Sequence, residues 1–272
     1  MNAKNLIRSL KDKVALFKIY KDPKVFIVLL IYIVEKLKGN SIIYCDSSST
    51  IKWLINRIER DYCIRLSPKT RFVAIKEVYI DREYTKFPDF IPKPSDVVID
   101  VGAETGDYTI LCSKFYRAAK VYAFEPNEIS YEVLLKNITI NECSNAKPFL
   151  LGLSSSDGLG TPHYNGDSIT WNHEEGDVTI SVKTLDSLGL THLNLLKVDV
   201  EGNEVEVIRG GISTIKKFKP KIIVETHSKG LRDEVIKLLE NMNYRIKHEG
   251  RTVFDEKGDE IANIFFEYFD FV

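Results

Sequence analysis

Residues 96–109 constrain the fold more than any other stretch of the chain. They read DVVIDVGAETGDYT, a β-branched run followed at once by Gly102 and, four residues later, by Gly106. Such a run is typical of a parallel strand buried on both faces, and apolar residues at helical spacing predict a helix over residues 107–116. A strand, a glycine turn and a helix open a Rossmann-type unit, whose glycines let the backbone approach a ligand closely.

The residues of this turn indicate the kind of ligand it would hold. The spacing GAETG departs from the dinucleotide fingerprint GxGxxG, and Glu104 would repel a pyrophosphate. A second apolar run ends at Glu125, 25 residues after Asp100, where a carboxylate would accept hydrogen bonds from a ribose diol. An acidic turn followed by a ribose-binding carboxylate favours S-adenosylmethionine over NAD. The alternative is a glycine turn that binds no ligand, as many α/β folds contain.

Composition excludes several classes of protein. The net charge of −1 gives no general case for binding nucleic acid. The four cysteines are widely spaced and form no CxxC pair, which argues against a zinc site or a disulfide framework and for a reducing, cytoplasmic compartment. At 272 residues the chain could hold one large domain or two.

The N-terminal segment, residues 1–38, differs from the rest. It carries nine Lys and Arg residues against three acids, around a run of ten apolar residues at positions 25–34. Ten residues are too few to span a bilayer as a helix, and no small-residue cleavage site follows as in a signal peptide. We expect a helix packed on the main domain or on a second subunit. The alternatives are an element that contacts a membrane surface or a lipid-linked substrate, and a membrane anchor.

Two domains are predicted. Residues 1–90 form an accessory α+β segment with a short strand near residue 42, a helix from Thr50 and an alternating strand over residues 72–80. The proline-rich residues 86–94 link it to a second domain, residues 91–272, in which strands and helices alternate as in a parallel sheet. In that domain, residues 130–141 and 234–242 are predicted helices. An insertion over residues 157–176 is either a lid or a solvated hairpin.

Acidic residues and a histidine follow two later strands. In an extended strand Lys197, Asp199 and Glu201 would face one side, at the sheet edge where ligands of doubly wound folds bind. His227 ends the next strand and is the candidate general base. A salt-bridged cluster of Lys197 with Asp199 or Glu204 is the structural alternative. A metal site built from Asp199, Glu201, Glu225 and His227 is another alternative, although no spacing here is diagnostic of one, and we predict a site without metal.

Five short motifs together carry a resemblance to a known family. They are DVGAETGDYT at 100–109, FEP at 124–126, LDSL at 185–188, LKVDVEGNE at 196–204 and VETH at 224–227. Through them, residues 96–245 resemble the FkbM family of S-adenosylmethionine-dependent methyltransferases, which more often has Asn in place of Glu104. The resemblance implies a Rossmann-like α/β fold with a seven-stranded class I methyltransferase sheet, mostly parallel with an antiparallel edge strand. It also implies O-methylation, often of sugars or polyketide-type hydroxyls.

We therefore expect an S-adenosylmethionine-dependent enzyme that methylates a hydroxyl of a sugar, glycolipid or other small molecule. The alternatives are an RNA methyltransferase and a non-catalytic nucleoside-binding protein. The expected partners are a small-molecule or glycan acceptor rather than nucleic acid, with membrane or lipid-linked contact through residues 1–38 and a second copy of the chain as further partners. The predicted catalytic residues are Asp199, Glu201 and His227. The predicted cofactor-binding residues are Asp100, Gly102, Ala103, Glu104, Gly106, Tyr108, Thr109, Glu125, Pro126 and Asp199.

Overall fold

The computed structural model describes residues 44, 49–165, 168–172, 179–254 and 258–270. The chain divides into two compact units, residues 1–82 and residues 83–272. This division lies on the N-terminal side of the proline-rich segment that we predicted to link two domains. Residues 1–38, with their apolar run, lie outside the described residues. Among the helices that are described, none has the length and apolar character needed to cross a membrane.

The described part of the first unit is helical. Helix α1 spans Ser49–Tyr62, where a helix was predicted. Helix α2 spans Phe72–Ile75 and continues as a π-helix over Lys76–Asp81, so the predicted strand over residues 72–80 is wrong. The predicted strand near residue 42 lies outside the described residues, apart from Tyr44, which forms an isolated antiparallel bridge with Arg71.

The incorrect strand has a simple cause. Phe72, Ile75 and Tyr79 are fully buried, and their spacings of three and four residues place them on one face of a helix. Because nearly every residue of this run is apolar, it satisfies the alternating pattern of a strand equally well. Burial in the folded unit, rather than periodicity, separates the two interpretations.

The described residues of the second unit form two sheets. The strands are β1 (Val97–Val101), β2 (Lys120–Phe124), β3 (Ala146–Phe149), β4 (Gly152–Leu153), β5 (Gly158–Asn165), β6 (Ser168–Asn172), β7 (Ile180–Lys183), β8 (Leu195–Val198), β9 (Lys221–Thr226), β10 (Tyr244–Glu249), β11 (Val253–Phe254) and β12 (Glu260–Tyr268). The main sheet has the order β10-β12-β9-β8-β1-β2-β3, with β11 paired to β12. The smaller sheet has the order β4-β7-β5-β6.

The main sheet is the predicted Rossmann-like methyltransferase sheet. Strands β3, β2, β1, β8 and β9 are parallel, and β12 runs antiparallel between β9 and β10. The antiparallel strand β12 is thus the neighbour of the edge strand, which is β10. Val101 is in register with Phe124 of β2 and with Val198 of β8. The loops that follow these three strands therefore leave the sheet at one level, which brings their side chains together.

Helices connect the parallel strands, as predicted. They are α3 (Asp107–Ile110), which continues as a π-helix over Leu111–Phe115, α4 (Glu128–Ile140), α5 (Glu204–Arg209), α6 (Ile212–Phe218) and α7 (Lys229–Glu240). Side chains cap the start of two of them: the Asn127 oxygen accepts from the Ser130 N–H at 3.0 Å, and the Ser228 hydroxyl accepts from the Leu231 N–H at 3.2 Å. The Ser228 cap explains why α7 begins earlier than its apolar pattern indicated.

Central strands β1 and β8 supply much of the core. Ile99, Leu196 and Val198 are completely buried, in keeping with parallel strands that are covered on both faces. Two charged side chains share this interior, because Asp100 is fully buried and Lys197 is 3% exposed. Charges buried this deeply need partners. Asp100 and Lys197 both belong to the candidate active site.

The insertion over residues 157–176 forms an antiparallel hairpin where it is described. Strands β5 and β6 pair with each other, and β5 also pairs with β7. This agrees with the hairpin that we predicted as the alternative to a lid. Residues 166–167 and 173–178, which include His173, lie outside the described residues, so a lid function for the insertion stays a prediction.

Candidate active site

The conformation of the loop after β1 is restricted by the backbone of Asp199, which lies against Gly102. Gly102 and Gly106 have left-handed φ angles of +75° and +87°. A Cβ atom on Gly102 would lie 1.7 Å from the carbonyl oxygen of Asp199, so a side chain cannot be accommodated there. The N–H groups of Gly102 and Ala103 both donate to the Phe124 carbonyl at 3.0 Å. The loop is therefore fixed to the ends of β2 and β8.

Buried side chains hold this loop from within. Asn137 of α4 donates its amide to the Thr105 carbonyl at 2.7 Å, and the Thr109 hydroxyl donates to Asp100 at 2.6 Å. The Thr105 hydroxyl donates to Asp107 at 2.6 Å, and burial raises the pKa of Asp107 to about 7 against the effect of that bond. Of the predicted cofactor-binding residues, Thr109 thus uses its hydroxyl for a hydrogen bond within the protein, and Tyr108 is also buried. Their contact with the cofactor stays a prediction.

Glu125 is presented at the end of β2, as predicted, with its orientation fixed. It is 6% exposed, and its two oxygens accept hydrogen bonds from the backbone N–H groups of Glu104 and Asn127, each at 2.8 Å. Burial raises the pKa of Glu125 to about 7, although both hydrogen bonds oppose that shift. A carboxylate offers about four acceptor positions. Two remain on Glu125, which suits the paired hydroxyls of a ribose. Pro126 follows and leads into α4.

Lys197 lies at the centre of a buried charge network. Its ammonium is 3.1 Å from an Asp100 oxygen and 3.4 Å from an Asp199 oxygen, and it donates to the Gly102 carbonyl at 2.8 Å. Burial opposes its charge, but the two carboxylates outweigh burial and raise the pKa of Lys197 above its usual range. The ion pair of Lys197 with Asp199, predicted as the structural alternative, is therefore present. Glu204 does not take part in it and pairs with His227 instead.

His227 is held by acidic residues on both sides of its ring. Nδ1 is 2.7 Å from Glu204, while Nε2 is 3.4 Å from Glu201 and 3.7 Å from Asp199. Burial would lower the pKa of His227, but the Glu204 hydrogen bond and the surrounding negative charges raise it to about 10. The ring is therefore an imidazolium at neutral pH. An imidazolium donates two hydrogen bonds and has no lone pair with which to accept a proton.

Asp199 and Glu201 reach His227 by a route that differs from the predicted one. We placed Lys197, Asp199 and Glu201 on one face of an extended strand, but β8 ends at Val198. Glu201 has a left-handed φ of +53° and a side chain that is 51% exposed. A turn, rather than strand alternation, brings the two carboxylates to the histidine.

Tyr84 completes the site and was not found from the sequence. Its hydroxyl is 2.8 Å from an Asp199 oxygen and 2.9 Å from a Glu225 oxygen. Its ring contacts Tyr108 edge-on at 5.2 Å, and the Lys197 ammonium lies 5.0 Å from its centroid. No spacing rule connects a residue of the predicted accessory segment with strand ends more than a hundred positions later, so the sequence contained no signal for it.

Three of these side chains also satisfy the geometry of a metal site. Ligand atoms of Asp199, Glu225 and His227 lie within 4.8 Å of one another. Carboxylates and imidazole suit several divalent ions. The predicted site without metal and the alternative with metal both stay predictions.

The order of the main sheet is that of the Rossmann-like class I methyltransferase fold predicted from the sequence. The family model of the methyltransferase FkbM domain matches residues 100–246, more than half of the chain. The chain belongs to the FkbM methyltransferase family, whose cofactor is S-adenosylmethionine. The residues present fit that cofactor, because Glu125 keeps two acceptor positions for a ribose and the acidic groups around the loop suit a cationic sulfonium rather than a pyrophosphate.

Two curated relatives show how far the similarity extends. Methyltransferase sdnD of Sordaria araneosa is 28% identical over 216 residues, covering 64% of this chain and 82% of its own length. Hexuronic acid methyltransferase AglP of Haloferax volcanii is 33% identical over 151 residues, covering 53% of this chain and 61% of its own length. The solved structure of methyltransferase FkbM from Methylobacillus flagellatus has a TM-score of 0.45 and 16% identity, over 79% of this chain and 59% of that one.

Proposed function

We propose that this protein transfers the methyl group of S-adenosylmethionine to a hydroxyl oxygen of a sugar, glycolipid or other small molecule. The observation that supports it is the group formed by Asp199, Glu201 and Glu225 where β8 and β9 reach the sheet edge, beside the loop that starts at Gly102. Ligands of open α/β sheets bind at this edge. Carboxyl oxygens are suited to orienting a hydroxyl and to accepting its proton.

Each part of the site has a role in this proposal. Gly102 and Gly106 shape the loop, and Glu125 would accept hydrogen bonds from the ribose hydroxyls. When bound, S-adenosylmethionine supplies an electrophilic methyl group. The protein must then hold the acceptor oxygen in line with that methyl group, and such positioning accounts for much of the rate gain in two-substrate reactions.

The proton of the acceptor hydroxyl must also be removed. His227 carries its own proton at neutral pH and would have to lose it before acting as the base that we predicted. We therefore assign proton acceptance to the carboxylates, with Asp199 first because its oxygens face both Tyr84 and His227. In this proposal the imidazolium of His227, held by Glu204, positions Asp199 and Glu201.

The nature of the acceptor rests on two further observations. The relative named hexuronic acid methyltransferase supports a sugar acceptor, since it matches about half of this chain at 33% identity. The net charge of −1 gives little support for a long phosphate backbone as substrate.

A transfer assay with S-adenosylmethionine labelled in its methyl group tests the proposal. The acceptors are hexuronic acids, a glycolipid extract, polyketide-type alcohols and total RNA. We expect label in one of the first three, in a form that resists mild alkali, because methyl ethers survive alkali and methyl esters do not. Asp199→Asn should lower turnover by about 10²–10⁴, whereas the exposed control Glu132→Gln should not. Label found only in RNA, or cofactor binding with no transfer to any acceptor, would contradict the proposal.

A further inference from the structure

Three side chains that can bind a metal converge where β8 and β9 reach the sheet edge. Ligand atoms of Asp199, Glu225 and His227 lie within 4.8 Å of one another. Atoms that bind one ion at about 2.1 Å lie about 3 Å apart when adjacent and about 4.2 Å apart when opposite. His227 Nε2 is 3.7 Å from Asp199 Oδ1 and 3.4 Å from a Glu201 oxygen. These separations are close to those of a coordination sphere, so small shifts of the side chains would complete one.

His227 is oriented as a metal-bound histidine commonly is. Its Nδ1 is 2.7 Å from Glu204, which is completely buried and also accepts from the Gly202 N–H at 2.9 Å. A carboxylate that accepts from one ring nitrogen fixes the ring and directs the other nitrogen to the ion. Here the directed nitrogen is Nε2. An ion would take the place of the proton that Nε2 carries in the protein without metal.

The two carboxylates are held so that each keeps one oxygen for an ion. Lys197 and Tyr84 both contact Oδ2 of Asp199, at 3.4 Å and 2.8 Å, so that Oδ1 remains. Tyr84 and Asn263 both contact Oε2 of Glu225. No hydrogen bond of the described residues uses Oε1 of Glu225. Outer contacts of this kind orient the ligands of metal sites.

Asn263 provides a separate indication of a cation at this point. It is 4% exposed, its amide nitrogen is 3.4 Å from Glu225 Oε2, and its oxygen has no hydrogen-bond partner among the described residues. A buried oxygen without a partner is costly. Half a turn of the amide would direct this oxygen towards Glu225, and an amide oxygen is a suitable ligand for a divalent ion.

Negative groups outnumber cations around His227. Four carboxyl groups act on its ring, namely those of Asp199, Glu201, Glu204 and Glu225. Among the ion pairs of the described residues, Lys197 reaches Asp199, and no lysine or arginine reaches the other three. Carboxylates that are held together without cations repel one another, and a divalent ion would supply the missing positive charge.

We propose that Asp199, Glu225 and His227 bind a divalent transition-metal ion. Glu201 is a further ligand. Imidazole is typical of sites for transition ions, whereas Mg²⁺ prefers oxygen ligands alone. Mn²⁺, which also accepts carboxylate oxygens, is therefore the appropriate probe. From the sequence we predicted a site without metal, and these contacts favour the alternative.

The role of the ion rests on the proposed function. There, the methyl group of the cofactor meets the acceptor hydroxyl at this end of the sheet. An ion with open positions can bind two neighbouring hydroxyl oxygens of a sugar at once and so orient the acceptor. Proton acceptance stays with the carboxylates, and the ion replaces the imidazolium of His227 as their positive partner.

Electron paramagnetic resonance of Mn²⁺ added to the cofactor-free protein tests the site itself. We expect a single bound ion per chain, with spin-echo modulation from a directly bound imidazole nitrogen. Glu225→Gln should weaken Mn²⁺ binding by about tenfold or more, and Glu204→Gln, which alters only the outer contact of the ring, by about 10–100-fold. The exposed control Glu132→Gln should bind Mn²⁺ as the unmodified protein does.

Absence of Mn²⁺ binding at millimolar concentration would overturn the inference. Binding that lacks the nitrogen signal, or that Glu225→Gln leaves unchanged, would overturn it as well. If Glu225→Gln does not fold, the nitrogen signal of the unmodified protein decides alone. Methyl transfer is measured separately, with and without a chelator. Mn²⁺ binding with no transfer to any acceptor would support the ion site and contradict the proposed function alone, whereas transfer that a chelator leaves unchanged would overturn the role of the ion in the reaction.

Discussion

Replacing Lys197 by Met should be among the most destabilising single changes in the second unit. The substitution keeps the apolar stem and removes an ammonium that is 3.1 Å from Asp100, 3.4 Å from Asp199 and bonded to the Gly102 carbonyl. Asp100 is fully buried and cannot turn to water. Removing one partner of a buried ion pair costs about 3–5 kcal/mol, because the other charge is left without compensation.

Chemical denaturation of the intact protein measures this cost. The reference is Lys183→Met, which removes an exposed ion pair with Asp157 in the same unit and should lower the stability much less.

One result would refute this reasoning. It is a cost for Lys197→Met that matches the Lys183→Met reference, which would mean that water or structural relaxation compensates Asp100.

Two further predictions follow from the same residues. Gly102→Ala should abolish detectable cofactor binding by calorimetry, because its Cβ would meet the Asp199 carbonyl at 1.7 Å; binding within a few-fold of the unmodified protein would contradict this. The pKa of His227 is raised from 6.5 to about 10. The contribution of its charged ring to the stability of the fold is therefore complete below about pH 6.5 and is lost as pH rises towards 10. Denaturation midpoints should fall over that range, and His227→Gln should flatten the fall; an equal slope in the variant would contradict it.

Local sequence patterns were sufficient to predict the parallel core of the main sheet. The β-branched run of β1, the glycines of its loop and the carboxylate at the end of β2 are short-range signals, and the structure places them as expected. The prediction of a strand over residues 72–80 was wrong because an almost uniformly apolar run does not distinguish the period of a helix from that of a strand. The predicted start of α7 was wrong because a capping serine, not an apolar residue, determines where this helix begins.

The site itself was predictable only in part. Asp199, Glu201 and His227 were found because strand ends of a parallel sheet meet at one edge. Their protonation was not predictable, since it depends on Glu204 lying 2.7 Å from one ring nitrogen of His227. Tyr84 was not predictable either, because its contact spans 115 positions of sequence. Contacts of this kind follow from the packed structure rather than from any local pattern.

Calorimetric titration of S-adenosylmethionine into the unmodified protein and Glu125→Ala tests the central claim most directly, with Glu132→Ala as the exposed control. The account predicts that S-adenosylmethionine binds, that NAD does not compete, and that Glu125→Ala weakens binding by about 1–3 kcal/mol through loss of charge-assisted hydrogen bonds. The control should bind as the unmodified protein does. NAD binding that is equal or tighter, or an unchanged affinity in Glu125→Ala, would contradict the account.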